Sequence, residues 1–409
     1  MIGKKTEKSL KQTYIFPMVR RTLEDYYEDM LRCYKCSYCR WVFFPDARDE
    51  RFVYQCPSGD AFRFLAYYAS GRMEIARGIV EGRLPWSKTV EHILYTCTTC
   101  GACEALCENI NRCHPLQIIE KLREKYVTEI GPTPAYKRMM ENVKKHHNLY
   151  GELDRKRFDW LPDGINPPKN AKIMYFVGCT SSYRQKEIAK ATLSVLNKLG
   201  VKVGLLYNNE WCCGGPLFRG GVTAVAKESL KHNIQALERS GAEKVIFTCA
   251  GCLRAFKEGE EYGLAPPRFE VLHALQVVSP LLKDLKNQLK PIEGNVTYHD
   301  PCYLGRHLAP FPIYEEPREV LRLISSKLVE MPRNRINAFC CGGEEGVREE
   351  FAELAVETAR KRLAEAKTTG AQTLATACPF CVQNLSGGSK EFEGVKVEDV
   401  MMLLDRALQ

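Results

Sequence analysis

The chain has 409 residues, of which 45% are hydrophobic and 27% are charged, and its formal net charge is +9. This length allows two or three domains with cores of their own, and the composition predicts a globular, soluble protein. No apolar run is long enough to span a bilayer. Arg20-Arg21 precedes the acidic stretch Thr22–Asp29 and no apolar segment, so we do not interpret it as a twin-arginine signal and expect a cytoplasmic protein.

The net charge overstates the basicity of the protein because it counts 19 cysteines as neutral. Metal-bound thiolates and cluster sulfides carry negative charge that must be included. The basic residues are also spread along the chain, so nucleic acid is not an expected partner. Grouped cysteines in a long cytosolic chain indicate metal or redox chemistry more often than disulfides.

The N-terminal stretch predicts an amphipathic helix. Apolar residues recur there at roughly helical spacing, at Ile15, Met18, Val19, Leu23, Tyr26 and Tyr27. We expect this helix to pack on the following domain, and a membrane-surface anchor is the alternative.

Two cysteine runs follow. The first is Cys33-x2-Cys36-x2-Cys39 with Cys56-Pro57 downstream, and the second is Cys97-x2-Cys100-x2-Cys103-x3-Cys107. The pattern CxxCxxCxxxC is typical of a [4Fe-4S] cubane, and in two-cluster ferredoxins the fourth cysteine ligates the other cluster. We therefore assign one cubane to Cys33, Cys36, Cys39 and Cys107, and the other to Cys97, Cys100, Cys103 and Cys56. Two zinc sites are the alternative, but zinc motifs pair CxxC units, whereas these runs have three cysteines in step.

Two features depart from the usual two-cluster pattern. The insert Arg40–Gln55, rich in aromatic and charged residues, separates the first run from Cys56, and Glu108 in place of proline follows Cys107. Cys113 is a spare candidate for the fourth ligand of the first cubane. Spacing favours Cys107, and we interpret Cys113 as a small buried residue.

Helices are predicted between and after the runs, over Asp60–Glu91 and Leu116–Val127. Residues 128–170 are basic and proline-bearing, and the prolines and glycine of Leu161–Asn170 block helix and strand. We place a domain boundary near residue 168, so that residues 1–168 form a helical, ferredoxin-like domain with two [4Fe-4S] clusters.

Beyond this boundary the pattern is α/β and occurs twice. The first half predicts strands over Lys172–Val177 and Val201–Tyr207 and helices over Gln185–Leu199 and Val222–Ser240. The second half predicts a strand over Asn295–His299 and a helix over Glu349–Lys367. The similar phrases SGAEKVIFTC and TGAQTLATAC, which end at Cys249 and Cys378, indicate an internal duplication of roughly 125 residues. We expect the two halves to be domains over residues 169–292 and 293–409.

Each half carries the same cysteine block, which is one cysteine, an adjacent pair followed by two glycines, and a CxxC. The first block is Cys179, Cys212, Cys213, Cys249 and Cys252, and the second is Cys302, Cys340, Cys341, Cys378 and Cys381. Five thiols are more than one structural zinc ion uses. An adjacent cysteine pair is also awkward for one ion, so the block indicates a multinuclear cluster. Zinc sites, catalytic dithiols and core cysteines are the alternatives.

The positions of these cysteines fit a ligand site at the edge of a sheet. Four of them fall where a strand ends, and ligands of open α/β sheets gather outside the carboxyl ends of the strands; they are Cys179, Cys249, Cys302 and Cys378. The glycines after each cysteine pair let the backbone approach a cluster and offer N–H groups to its sulfides. A CxxC at a helix start is expected to have thiols of lowered pKa.

With these motifs the chain resembles the D-subunit family of heterodisulfide reductase, in which two cysteine-rich "CCG" domains follow a two-cubane ferredoxin module. The resemblance covers nearly the whole chain from Cys33 on, and both blocks are complete. It implies an α+β and α/β architecture, with a helical ferredoxin-like domain before a duplicated α/β pair. It also implies that each block holds a noncubane [4Fe-4S] cluster with its five cysteines. In that methanogenesis-related family the two clusters face each other and split the disulfide of coenzyme M and coenzyme B.

The resemblance further implies an anaerobic redox complex. Electrons would enter at one cubane, cross to the second and reach the paired clusters. The expected partners are the disulfide substrate and other subunits, a cytochrome b-type membrane subunit or a flavoprotein, which could hold the chain at the inner face of the membrane. The alternative is an electron-transfer subunit that relays between a membrane quinone or cytochrome b partner and another dehydrogenase or reductase, and the insert before Cys56 leaves that open. No GxGxxG fingerprint of a nucleotide or flavin follows a strand.

Five residues beside the cluster motifs are further candidates. His299 and His307 flank Cys302 and could supply protons to thiolate products, with packing histidines as the alternative. Arg219, Arg254 and Arg306 could bind an anionic substrate, with ordinary surface arginines as the default interpretation.

Overall fold

The computed structural model describes residues 21–42, 49–108, 110–389 and 394–408. Its N-terminal part is helical, with α1 (Tyr27–Leu31), α2 (Pro57–Phe62), α3 (Ala69–Val80), α4 (Lys88–Tyr95), α5 (Ala102–Glu108), α6 (Pro115–Glu129) and α7 (Pro134–His146). Three of these helices begin at a proline, whose fixed φ suits the first turn and whose missing N–H has no helical partner there. The helices predicted over Asp60–Glu91 and Leu116–Val127 are confirmed, whereas α7 lies in a stretch for which no element was predicted.

The predicted N-terminal amphipathic helix is only partly within the described residues. Ile15, Met18 and Val19 lie outside them. Leu23 and Tyr26 are buried in the main core, and the helical turn Glu24–Tyr26 leads into α1.

The insert before Cys56 folds back on itself. Val42 N donates to Val53 O at 2.8 Å, and Gln55 N donates to Arg40 O at 2.7 Å. Gln55 Nε2 donates to Asn337 O at 3.1 Å, so the insert is attached to the second α/β half. Residues 43–48 of the insert lie outside the described residues.

The first α/β half contains a parallel sheet in the order β1 (Ile173–Phe176), β2 (Lys244–Phe247), β3 (Glu270–His273). Its helices are α8 (Cys179–Tyr183), α9 (Lys186–Lys198), α10 (Gly215–Arg219), α11 (Thr223–Arg239), α12 (Ala250–Lys257) and α13 (Ala274–Leu282). Three consecutive residues of β1 and of β2 are buried, as expected of parallel strands covered on both faces.

The strand predicted over Val201–Tyr207 is wrong. This segment meets β1 only at Gly204, which exchanges hydrogen bonds of 2.9 Å with Tyr175 N and Ile173 O. Tyr207 then has a φ of 52° and begins a helical turn, so the chain leaves the sheet. The apolar pattern of this segment correctly indicated that it is buried, but its pairing with β1 is a single bridge and not a strand.

The second half contains a four-stranded parallel sheet in the order β5 (Ser325–Val329), β4 (Ile292–His299), β6 (Thr373–Thr376), β7 (Lys396–Asp399). Its helices are α14 (Glu315–Ile324), α15 (Glu345–Glu350), α16 (Ala352–Lys367), α17 (Pro379–Gly388) and α18 (Val400–Ala407). The helix predicted over Glu349–Lys367 is therefore divided, because Phe351 takes non-helical dihedrals of −131° and 54° between α15 and α16.

The two sheets repeat one another. The row Phe176–Phe247–His273 ends β1, β2 and β3, and the row His299–Thr376–Asp399 ends β4, β6 and β7. Because all strands are parallel, the carboxyl ends of each sheet meet at one edge. The predicted boundaries at 168 and 292 stay a prediction.

Gly342 tests how tightly the repeated glycine turn is packed. Its φ is 80°, and a Cβ there would lie 2.8 Å from Ala355 O, whereas Gly370 has a φ of 71° and open space around it. We expect Gly370→Ala to cost about 1–2 kcal/mol of unfolding free energy, the usual cost of a left-handed residue with a side chain. Gly342→Ala should cost clearly more, because α16 must also move. Urea denaturation of both variants measures this, and equal losses would contradict it.

Candidate metal centres

The two cysteine runs of the helical domain share one backbone shape. In the first run Lys35 and Ser37 have φ values of 57° and 73°, and in the second the corresponding Thr99 and Gly101 have 44° and 71°. Left-handed residues between successive cysteines wrap the chain into a tight loop, at an energetic cost for the three that have side chains. Each run thus directs its three thiols toward one point.

The first predicted cubane set surrounds one cavity, which is lined by Cys33, Cys36, Cys39 and Cys107. Cys36 is exposed, and Asn111 Nδ2 lies 3.5 Å from its sulfur. Cys113 is fully buried, does not line this cavity, and donates to Asn111 O at 3.6 Å. The structure thus brings Cys107 and not Cys113 to the cavity, as spacing had favoured.

The second predicted cubane set surrounds the neighbouring cavity, which is lined by Cys56, Cys97, Cys100 and Cys103 and also by Cys39. Burial raises the pKa of the Cys56 thiol to about 12. In the metal-free chain this thiol is therefore protonated, and metal binding must release its proton.

The first repeated block is buried at the carboxyl edge of its sheet. Cys179 lies just after β1, and Cys249 caps α12 just after β2. Within the block, thiol contacts join Cys179 to Cys212, Cys212 to Cys213, Cys213 to Cys252, and Cys249 to Cys252. Gly214 N and Gly215 N donate at 3.4 Å to the sulfurs of Cys212 and Cys213. The glycine N–H groups therefore face cysteine sulfurs, and their predicted contact with cluster sulfides stays a prediction.

The second block has the same local geometry. Gly342 N and Gly343 N donate at 3.3 Å to the sulfurs of Cys340 and Cys341, and the sulfurs of Cys341 and Cys381 are 3.3 Å apart. Four cysteines of this block are buried and Cys302 is partly exposed. All five line a central cavity of about 50 Å³, whose wall includes Gly215, Gly251, Arg219 and Arg254 of the first half.

The expectation of lowered thiol pKa at the CxxC helices is wrong for three of the four cysteines, Cys249, Cys252 and Cys381, whereas the pKa of Cys378 is lowered. Hydrogen bonds with Cys213 and Cys249, followed by burial, raise the pKa of Cys252. Contact with Cys341 does the same for the pKa of Cys381. In the metal-free chain, the neighbouring thiols therefore affect these pKa values more than the start of the helix does.

The four cysteine sets form a contiguous series. Cys39 lines both cavities of the helical domain. Cys100 of the second cubane set contacts the thiol of Cys340. Cys249 of the first block contacts Cys378 of the second. The second block is therefore the link between the helical domain and the first block.

Buried arginines test whether these sites fit anionic clusters. Arg72, Arg123 and Arg306 are buried, and none of them is ion-paired with a carboxylate among the described residues. Arg72 lines the second cubane cavity and donates to Ser58 and Ile93. The other two donate to the backbone of that cubane set, Arg123 to Cys97 O at 2.6 Å and Arg306 to Cys100 O at 2.9 Å. A buried charge needs a counter-charge. Thiolate-bound iron–sulfur clusters would supply it, so the residues present fit such groups.

Arg219 and Arg254 are not ordinary surface residues. Both are nearly fully buried in an ion-pair cluster with Glu120 and Glu258, in which Arg254 Nη2 lies 3.1 Å from Glu120. Arg254 Nη1 has no partner among the described residues. The default interpretation of these arginines is wrong, since they form part of the wall of the central cavity.

The two candidate histidines differ in their surroundings. Burial, followed by Arg254, Arg219 and Arg306, lowers the pKa of His307 well below its usual value. It is therefore neutral near pH 7 and a poor proton source. His299 is buried and lies beside Cys341 and Cys381.

Two residues of these sites were not predicted from the sequence. Arg157, near the end of the predicted helical domain, is buried, pairs with Glu210 at 3.1 Å and lies 4.0 Å from the Cys179 sulfur. Glu345 lines the central cavity, and burial raises its pKa to about 7. The only sequence signal for Glu345 is its place shortly after the glycine pair of the second block.

Comparison with known families agrees with this arrangement. Residues 29–110 match the 4Fe-4S dicluster domain, and residues 173–257 and 296–386 each match the cysteine-rich domain. The D subunit of the dihydromethanophenazine:CoB--CoM heterodisulfide reductase of Methanosarcina barkeri is 41% identical over 77% of this chain and 78% of its own length. The B subunit of the fumarate reductase (CoM/CoB) of Methanothermobacter marburgensis is 32% identical over 78% of this chain and 62% of its own. The EtfAB:quinone oxidoreductase of Syntrophomonas wolfei is 29% identical over 77% and 46%.

The fold, the cysteine sets and these matches define an iron–sulfur oxidoreductase subunit with a dicluster domain and two cysteine-rich domains. The predicted duplication is confirmed. The chain belongs to the D-subunit family of heterodisulfide reductase. Among the residues that the structure describes, no helix is both long and apolar enough to cross a membrane.

Replacing Arg72 tests the charge-compensation argument. Arg72→Met keeps most of the side-chain volume but removes the positive charge beside the second cubane cavity, so iron and sulfide content should fall by about one cluster's share. The control is Arg83→Met, which alters an exposed arginine paired with Glu81 and should leave the content unchanged. Iron and acid-labile sulfide assays on anaerobically purified protein measure this. A full complement in Arg72→Met would contradict the argument.

Proposed function

We propose that this chain is the catalytic subunit of a heterodisulfide reductase-like complex and reduces a mixed disulfide of the coenzyme M–coenzyme B type. The observation that carries the proposal is the second block, in which all five cysteines line one cavity and Cys340 also contacts Cys100 of the dicluster domain. Relatives at about 40% identity carry the heterodisulfide reductase name, which supports the substrate class.

The proposed cofactors are two cubane [4Fe-4S] clusters in the helical domain and one noncubane [4Fe-4S] cluster in each block. When bound, such clusters carry single electrons and can hold the sulfurs of a cleaved disulfide. Cleavage breaks one S–S bond, consumes two electrons and two protons, and yields two thiols. The partner subunit supplies the electrons, and the protein must supply the protons and the space.

The first cubane set is the proposed point of electron entry. Cys36 is exposed there, and its surroundings are apolar side chains that face solvent, at Leu31, Tyr34, Tyr38 and Ile110. An exposed apolar patch beside a redox site is what a partner subunit needs for docking. The proposed partner is a cytochrome b-type subunit or a flavoprotein, and the former would hold the chain at the inner face of a membrane.

Arg254 is the proposed contact for a negatively charged part of the substrate. Arg219 and Arg254 border the cavity, and their charges are largely neutralised by Glu120 and Glu258. Of these two arginines, Arg254 has a buried nitrogen, Nη1, with no partner among the described residues, which suits a single anionic group.

Glu345 is the proposed proton source. It lines the same cavity, and its carboxyl faces Arg348, Arg184, Glu344 and Glu349. Because burial is the largest influence and raises its pKa to about 7, Glu345 is protonated below that pH and can give a proton to a thiolate product.

An electron-transfer subunit without a disulfide substrate is the second candidate function. It is favoured by the relatives named as a fumarate reductase component and as EtfAB:quinone oxidoreductase, which match 78% and 77% of this chain. In that case the chain would relay electrons between a membrane quinone or cytochrome b partner and a separate enzyme.

Cluster content and the response to substrate separate these functions. Anaerobically purified protein should contain about sixteen irons, four in each of four clusters, and titration with the mixed disulfide should produce a new paramagnetic signal. Cys341→Ala should abolish disulfide turnover and retain the cubane signals, whereas Cys113→Ala, the control, should keep full turnover. About eight irons would defeat the noncubane assignment. About sixteen irons with no response to disulfide would favour the relay function.

The pH dependence of turnover tests Glu345. In the wild type, turnover should fall as pH rises through about 7, since the carboxyl loses its proton there. Glu345→Gln should lower turnover on the order of tenfold or more at pH 6 and flatten this fall. Glu353→Gln alters an exposed carboxylate of α16 and should leave the profile unchanged. A Glu345→Gln profile like that of the wild type would show that another group supplies the proton.

A further inference from the structure

His299 ends β4 and is almost fully buried. Its Nδ1 accepts a hydrogen bond of 3.1 Å from Arg362 Nε. A guanidinium is always a donor, so Nδ1 must be the acceptor and a neutral ring must carry its proton on Nε2. The protein therefore fixes the tautomer of His299.

The ring of His299 lies beside two sulfur atoms. Nε2 is buried and has no partner among the described residues by ordinary hydrogen-bond criteria. One ring nitrogen of His299 and the sulfurs of Cys341 and Cys381 all lie within 4.8 Å of one another. Since Nδ1 is occupied by Arg362, Nε2 is the nitrogen free to interact with sulfur.

We propose that His299 is a positioning residue that donates a hydrogen bond from Nε2 to a cysteine sulfur of the second block and thereby raises the reduction potential of the cluster held there. The inference rests on the proposed function only in requiring that this block holds a cluster. Hydrogen bonds to cluster sulfurs are among the factors that set the potential, because they stabilise the more negative, reduced state.

A buried network keeps Arg362 in place. Arg362 Nη1 lies 2.6 Å from Glu365, and Glu365 also holds Arg333 at 2.9 Å. Arg333 in turn donates to Tyr54 O of the insert and lies over the Phe52 ring. The orientation of His299 is thus linked to the insert before Cys56 through three buried side chains of the second half.

The first half has a different residue at the position equivalent to His299. The residue that corresponds to His299 at the end of β1 is Phe176, whose ring packs on Phe247 and Phe256 with centroids 5.3 Å and 5.0 Å away. The polar neighbour in the first block is Arg157, which approaches Cys179. The two blocks therefore have equal cysteine sets and different donors. The donor in the second block favours electron arrival at the block that touches the helical domain.

The test compares four proteins purified anaerobically, the wild type, His299→Phe, His299→Gln and Thr376→Val. Phenylalanine copies the first half, and glutamine can still accept from Arg362 and donate to sulfur. Thr376→Val removes a 3.1 Å hydrogen bond to the His299 carbonyl without changing the ring. The readout is a potentiometric titration of the EPR signal of the second block, identified as the signal lost in Cys341→Ala.

We expect His299→Phe to lower the ratio of reduced to oxidised cluster about tenfold at the wild-type midpoint, which is 59 mV for a one-electron couple. His299→Gln should shift less, and Thr376→Val should not shift. An unchanged midpoint in His299→Phe with about sixteen irons present would overturn the inference and leave the proposed function intact. About eight irons in the wild type, with no signal lost in Cys341→Ala, would instead defeat the proposed function.

Pulsed EPR of wild-type protein containing ¹⁵N-histidine provides a test that does not depend on the folding of any variant. A weak nitrogen coupling to the second-block signal supports the hydrogen bond. No coupling overturns the inference. A strong coupling, typical of nitrogen bound to iron, also overturns it, because His299 would then be a ligand.

Discussion

Compensation of buried charge at the cysteine sets is the constraint on which the rest of the structure depends. Thiolates that hold iron are negative, and burying them is costly unless positive groups lie close by. The protein supplies Arg72, Arg123 and Arg306 beside the second cubane set and Arg157 beside the first block, and three of these have no carboxylate partner among the described residues. Part of the formal charge of +9 therefore comes from arginines buried inside the molecule, so the net charge does not indicate a basic surface.

A second constraint is geometric, since five thiols from distant points of the chain must meet. Parallel strands solve this, because the loops after β4 and β6 leave the same edge of the sheet and carry Cys302 and Cys378 there. The glycine pair completes the arrangement, as Gly342 adopts a φ of 80° where a side chain would strike α16. Duplication gives two such edges, and contact between Cys249 and Cys378 joins them.

The fold class and the grouping of cysteines could be predicted from the sequence, because strand ends, cysteine spacing and the internal repeat are local patterns. Prediction failed where a residue's role depends on distant packing. Val201–Tyr207 has a strand-like pattern but touches β1 only at Gly204. Arg219 and Arg254 look like surface residues until Glu120, more than ninety positions away, is placed against them. Arg157 lies near the end of the predicted helical domain, and no periodic pattern connects it to Cys179.

The insert before Cys56 has a physical role that its sequence did not reveal. It binds Asn337 through Gln55, and its backbone receives a hydrogen bond from Arg333. Arg333 shares Glu365 with Arg362, and Arg362 fixes the tautomer of His299 beside the second block. A segment of the helical domain thereby bears on the surroundings of a site in the α/β domain. Cys100 and Cys340 touch near this junction, so the insert lies beside the contact between the helical part of the chain and the second block.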